Sequence, residues 1–178
     1  MHGRHVICSL LVGWILLASF SKPVFSADDQ PITVKVVTPQ QFKAELVKHK
    51  GKVILIDYWA TWCIPCLKGF PTTVEWHEKY KAHDLVVISV SMDEPDQETQ
   101  EQALKFLKAK KATFTNLMSS LGSDEDGMKQ FGVPDGVLPH YKILNRKLQV
   151  AAQFSDEDGN GIAHEAVEAA IRKELQKK

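Results

Sequence analysis

The chain has 178 residues, with 22 Lys plus Arg against 22 Asp plus Glu and a formal net charge of zero. That balance offers no basic field to hold nucleic acid or an anionic membrane surface, so polyanionic partners are disfavoured. Three cysteines are too few for an exported scaffold stapled by disulfides. Two of them, Cys63 and Cys66, would close so small a loop that they constrain the unfolded chain very little, so stability is a poor reason for the pair.

In chain order, Arg4 and two histidines precede an apolar run from Val6 to Phe20, the layout of a signal peptide. The small residues Val24 and Ser26 suit cleavage just before Ala27, which gives a leader over 1–26 and a mature domain over 27–178. The apolar run is shorter than the ~20 residues a membrane span needs. Cys8 lies within it, lacks the Leu-Ala-Gly-Cys pattern of a lipoprotein signal and is expected to leave with the leader. The mature protein is therefore expected outside the cytoplasm, in the periplasm or its equivalent, and held at the membrane if the leader stays. The remaining length fits one domain.

A short extended piece, Thr33 to Val37, is followed by a helix that Thr38 caps and Pro39 opens, with Phe42, Leu46 and Val47 on one face. Val53 to Ile56 is a continuous apolar run and reads as a strand buried on both faces. A helix from about Cys63 to His83 comes next, with Pro71 expected to interrupt and kink it. Leu85 to Val90 reads as a second buried strand. An insertion then supplies a helix opened by Glu94-Pro95-Asp96, with Ala103, Leu104, Phe106 and Leu107 inward, and an extended run from Phe114 to Met118. Ser123 to Asp126 begins a short helix ending near Phe131-Gly132, its acids complementing the helix dipole. Tyr141 to Leu144 and Leu148 to Ala152 form a hairpin through Asn145-Arg146. A last helix runs from Ala163 to Leu175, with Ala166, Val167, Ala170 and Ile171 inward. Alternating strands and helices predict an α/β layer fold.

Cys63-Ile64-Pro65-Cys66 places a Cys-X-X-Cys pair just after a buried strand, where a helix begins. Unpaired N–H groups and the positive end of the helix dipole favour a thiolate there, which makes Cys63 the expected nucleophile. Cys66, one turn on, would keep the higher pKa and resolve a mixed disulfide. Pro65 is tolerated because the first turn has no N–H partners to lose. A structural zinc site would need four ligands, and no second pair is placed to complete one. Asp57, on the strand leading to the motif, would if buried have a raised pKa and could accept the Cys66 proton; otherwise it is an ordinary strand-end carboxylate.

The run Asp57-Tyr58-Trp59-Ala60-Thr61-Trp62-Cys63-Ile64-Pro65-Cys66, with Pro71 eight residues after Cys63, resembles thioredoxin. With the insertion and the leader, the mature chain is similar to the bacterial TlpA and ResA group of exported thioredoxin-like proteins. The resemblance implies a thioredoxin-like three-layer α/β fold: a central mixed β-sheet flanked by helices, with a helical insertion between core strands. It implies a thiol-disulfide oxidoreductase needing no cofactor beyond its own redox-active Cys63–Cys66 disulfide, acting on protein disulfides and, as a reductase, drawing electrons from a membrane-linked donor. Asp57 matches the acid given the proton-accepting role in thioredoxin. Pro139 resembles the cis-proline facing the redox pair, with Pro134 as second candidate, and the Leu138 backbone would pair with substrate. Trp62, Ile64 and Pro65 would complete the substrate surface, with Trp59 and Trp62 forming a flat apolar face or, equally, lying in the core with Trp62 the more exposed.

Several features depart from that pattern. Gly69 stands where the ResA branch carries a glutamate three residues after the second cysteine, and Asn145-Arg146-Lys147 replaces the usual Asp-Gly turn. His140 follows Pro139, which opens an alternative: a copper-binding or metal-delivery module using Cys63, Cys66 and His140. Asp156 to Gly161 copies half of an EF-hand loop, but its twelfth position is Val167 rather than a bidentate glutamate, and a polar turn accounts for it more simply. The Pro-X-X-X-Thr/Ser-X-X-Cys arrangement of peroxiredoxins is missing, which argues against a peroxidase.

Overall fold

The computed structural model describes residues 31–157, 159 and 161–177. The expected leader over 1–26 lies outside the described residues, as do Asp158 and Asn160 of the acidic loop. The elements run β1 (Lys35–Val37), α1 (Pro39–Lys48), β2 (Val53–Trp59), α2 (Ile64–Tyr80), β3 (Leu85–Ser91), α3 (Gln97–Ala109), β4 (Thr115–Ser119), α4 (Glu125–Phe131), β5 (His140–Leu144), β6 (Val150–Ser155) and α5 (His164–Gln176).

The six strands form one mixed sheet in the order β1-β4-β3-β2-β5-β6. β1, β4, β3 and β2 pair in parallel, and β5 and β6 add on antiparallel. This is the thioredoxin-like three-layer arrangement, with the helix and extended run of the insertion both present. The insertion delivers α3 and then β4, which takes a place inside the sheet between β1 and β3. Sequence order could not reveal that placement, because a parallel strand reaches its partners through a crossover.

β2 is buried along its whole length and carries the core on both faces. Leu55, Trp59, Tyr141 and Ile143 pack with Phe70 and Trp76 of α2 and Val167 and Ile171 of α5. Ile54, Ile56 and Tyr58 pack on the opposite face with Phe42 of α1 and Met128 and Phe131 of α4. Strand side chains alternate between faces, so Asp57 shares the α2/α5 face with Leu55 and Trp59. Trp59 is fully buried and Trp62 exposed, so of the two it is Trp62 that offers an apolar face to solvent and Trp59 that belongs to the core.

Capping residues fix the helix starts. Thr38 and Gln41 form a reciprocal capping box, with N–H to side-chain distances of 2.9 and 3.3 Å. Asp96 accepts the Thr99 N–H at 2.9 Å and Asp124 accepts the Gly127 N–H at 2.8 Å. Pro71 does not interrupt α2, which continues to Tyr80 before a 3-10 turn over Lys81–His83. Phe70 before the proline and Thr73, Trp76 and Tyr80 after it are all buried. Anchoring both halves of the helix in one core outweighs the hydrogen bond that proline removes. In α5, Val167 and Ile171 face inward as expected, but Ala166 is exposed.

Candidate active site

Burial of Trp59 brings the end of β2 against the start of α2, so that Cys63 ends the turn between them and Cys66 lies in the first turn of the helix. Cys63 is the N-cap of α2, and its Sγ accepts the Cys66 N–H at 3.3 Å. The two sulfurs are joined in a disulfide of 2.02 Å. Both cysteines are buried, whereas Trp62 is 57% exposed and Ile64 59%, so the sulfur pair lies beneath an apolar rim open to solvent. A thiolate at Cys63 would meet the unpaired N–H groups and the positive end of the α2 dipole.

The Leu138–Pro139 peptide bond is cis, which settles the choice between Pro134 and Pro139. Pro65 and Pro139, together with Lys68, Gly69, Tyr141 and His164, line a cleft of about 220 Å³ beside the redox pair. A Cβ at Gly69 would stand 3.2 Å from His164 Nε2 and 3.4 Å from Tyr141 Oη. A side chain at this position would therefore press on a histidine from α5 and a tyrosine from β5, which would have to give by a few tenths of an ångström.

Asp57 is 2% exposed and lies opposite Tyr141 in the β2–β5 register. Burial in the α2/α5 core pushes its carboxyl from 3.8 to about 7, and the Thr73 hydroxyl, donating to Oδ2 at 2.6 Å, holds the rise back. Thr73 is the residue that sequence reasoning missed here. It lies seven residues after Cys66 on α2, so it falls on the same helical face, and that spacing was the available signal.

His140 goes elsewhere. It lies opposite Tyr58 in the β2–β5 register, and its ring packs edge-on to Tyr58 at 5.7 Å between centroids, on the α1/α4 side of the sheet. Asp135 Oδ1 lies 3.6 Å from its Nδ1. The expected nearness of His140 to the thiols is therefore corrected: residues adjacent along a strand point to opposite faces. Among the described residues, no group of three or more His, Cys, Asp or Glu is placed to hold a metal. In the loop after β6, Asp156 Oδ1 accepts the Gly161 N–H at 2.7 Å.

A disulfide-forming Cys-X-X-Cys at the N-terminus of α2, facing a cis-proline at the start of β5 in a mixed sheet with helices on both faces, defines a thioredoxin-like thiol-disulfide oxidoreductase. The Redoxin family profile matches residues 28–171, and the chain belongs to that family. Sporulation thiol-disulfide oxidoreductase A of Bacillus subtilis (strain 168) is 24% identical over 137 residues, covering 76% of this chain and 79% of that protein. Thiol-disulfide oxidoreductase ResA of Bacillus thuringiensis subsp. konkukian is 41% identical over 54 residues, a match spanning 30% of this chain and 31% of that protein. A Chlorobium tepidum protein assigned as the thiol:disulfide interchange protein DsbE superposes with a TM-score of 0.60 at 28% identity, covering 73% of this chain and 84% of that one. Within its family the chain is a TlpA/ResA-like oxidoreductase.

Proposed function

We propose that the protein is exported and reduces disulfides in protein substrates, with Cys63 as the attacking thiolate and Cys66 as the resolving thiol. Cys63 Sγ attacks one sulfur of the substrate disulfide, forming a mixed disulfide and releasing the other substrate sulfur as a thiolate. Cys66, having lost its proton to Asp57, then attacks Cys63 Sγ, releases the second substrate thiolate and closes the Cys63–Cys66 disulfide. The observation that carries this reading is the position of Cys63 Sγ, at the N-cap of α2 and accepting the Cys66 N–H. Asp57 suits its part because an acid near 7 exchanges protons readily at neutral pH.

Trp62, Ile64 and Pro65 on one side and Leu138 and Pro139 on the other frame the surface for an extended substrate segment, with the Leu138 backbone available to pair with it. Return of the disulfide to the dithiol requires electrons, which a membrane-linked donor would supply. Export is supported by the apolar run after Arg4, and among the described residues no helix is long and apolar enough to cross a membrane. Equilibration of the mature protein with defined thiol buffers tests the direction. A reduction potential near thioredoxin's, about −270 mV, is the expected result, and one near DsbA's, about −120 mV, would make the protein an oxidant instead.

A further inference from the structure

Asp93 lies two residues past the end of β3 and is 1% exposed, yet among the described residues no basic side chain forms an ion pair with it. Its carboxylate collects neutral donors instead. The Thr61 N–H approaches both oxygens at 3.0 Å, the Thr61 hydroxyl donates to Oδ1 at 2.8 Å, and the Ser91 hydroxyl donates to Oδ2 at 2.6 Å. Both carboxylate oxygens are thus hydrogen-bonded despite their burial.

Thr61 stands two residues before Cys63. The neighbouring contacts tie down the rest of the loop: Met92 N–H donates to the Trp59 carbonyl at 2.8 Å, and Cys63 N–H donates to the Ala60 carbonyl at 3.1 Å. Asp93 is the side chain that grips the middle of the segment from Trp59 to Cys63. We propose that Asp93 is a positioning residue that, through Thr61, sets the reduction potential of the Cys63–Cys66 couple. This rests on the reading of Cys63 as the reactive thiolate.

Reduction breaks the Sγ–Sγ bond and adds two electrons and one proton, leaving a thiol on Cys66 and a thiolate on Cys63. The reduced form thus carries a negative charge that the disulfide lacks. A carboxylate hydrogen-bonded to Thr61, two residues before Cys63, repels that added charge and so disfavours the reduced form. The grip on Thr61 also restricts the loop and keeps Cys63 within reach of Cys66, which favours the disulfide. Charge and geometry act in the same direction, making the couple more reducing.

The test uses the mature protein, with a dithiol or glutathione buffer as the electron source. Asp93→Asn keeps the shape and removes the charge. It is expected to shift the exchange equilibrium about tenfold toward the reduced protein, ~30 mV toward a more oxidising couple. The pH profile of iodoacetamide alkylation at Cys63 should move to lower pH with it. Thr61→Val removes only the hydroxyl contact and should produce a smaller shift in the same direction. It also decides the matter if Asp93→Asn fails to fold. A reversible wild-type couple whose potential and alkylation profile are unchanged in the folded variants would overturn the proposal and leave Asp93 a purely structural residue. Absence of a reversible couple in the wild type would strike the Cys63–Cys66 reading itself.

Discussion

Asp57 on β2 and His140 on β5 are near neighbours in the sheet, since Asp57 lies opposite Tyr141 and His140 opposite Tyr58. Each is almost completely buried, and they face opposite sides. Asp57 looks toward α2 and α5, where Thr73 donates to it. His140 looks toward α1 and α4, where neither ring nitrogen has a hydrogen-bond partner among the described residues. In both, burial opposes the charged form, raising the acid and lowering the base. The difference lies in the surroundings. Asp57 shares its core with the sulfur pair, so its titration can serve chemistry, whereas His140 packs against Tyr58 on the other face.

Breaking the acid side gives the largest effect. A rise from 3.8 to about 7 means that a folded chain carrying ionised Asp57 is destabilised by on the order of 4 kcal/mol. The carboxyl is protonated in folded and unfolded chains below about pH 4, so no penalty exists there. Stability falls as pH rises from about 4 to about 7, because the unfolded chain releases the proton first, and above that the penalty is complete. Asp57→Asn is therefore expected to raise Tm strongly at pH 8 and hardly at all at pH 4 in calorimetry. Its turnover against a protein disulfide at pH 7 should fall by about a hundredfold, the usual scale for loss of a proton-transfer group.

Thr73→Val comes next. Loss of the hydroxyl donor leaves the carboxylate without its charge-assisted hydrogen bond, costing roughly 1.5–3 kcal/mol at pH 8 and less at pH 5, where Asp57 is protonated. The same variant should move the Asp57 titration, followed by carboxyl NMR, to higher pH.

On the other face, His140→Gln sharpens the contrast. The folded histidine titrates below its ordinary 6.5, so the unfolded chain takes up the proton first and the wild type loses stability as pH falls through that region. Urea titrations at pH 7 and pH 5 should show that loss reduced in the variant, with disulfide exchange unchanged at pH 7. Trp62→Ala is the mildest: the side chain is exposed, so stability should move by no more than about 0.5 kcal/mol while KM for a protein substrate rises several-fold.

The parts legible in the sequence were those written in contiguous residues. Cys63, Cys66 and the proline between them, the strand that carries Asp57, and the proline before β5 all declare themselves by local order and by likeness to a known motif. The parts that were not legible arise where the chain returns from a distance. β4 enters the sheet between β1 and β3, Thr73 and Tyr141 meet around Asp57, and His164 fills the space at Gly69, each placed by packing between elements remote in sequence. His140 was misplaced because adjacency along a strand was read as adjacency in space. Pro71 was read as an interruption because its local cost was visible and the compensating burial of Phe70, Thr73 and Trp76 was not.

The order of events at the sulfurs is tested most directly by trapping. Reduced Cys66→Ser and Cys63→Ser proteins are each mixed with a disulfide-bonded protein such as insulin, quenched with acid and examined by non-reducing electrophoresis and mass spectrometry. The account predicts a covalent adduct through Cys63 in the Cys66→Ser protein and neither adduct nor turnover in the Cys63→Ser protein. An adduct through Cys66 at a comparable rate, or full exchange without Cys63, would contradict it.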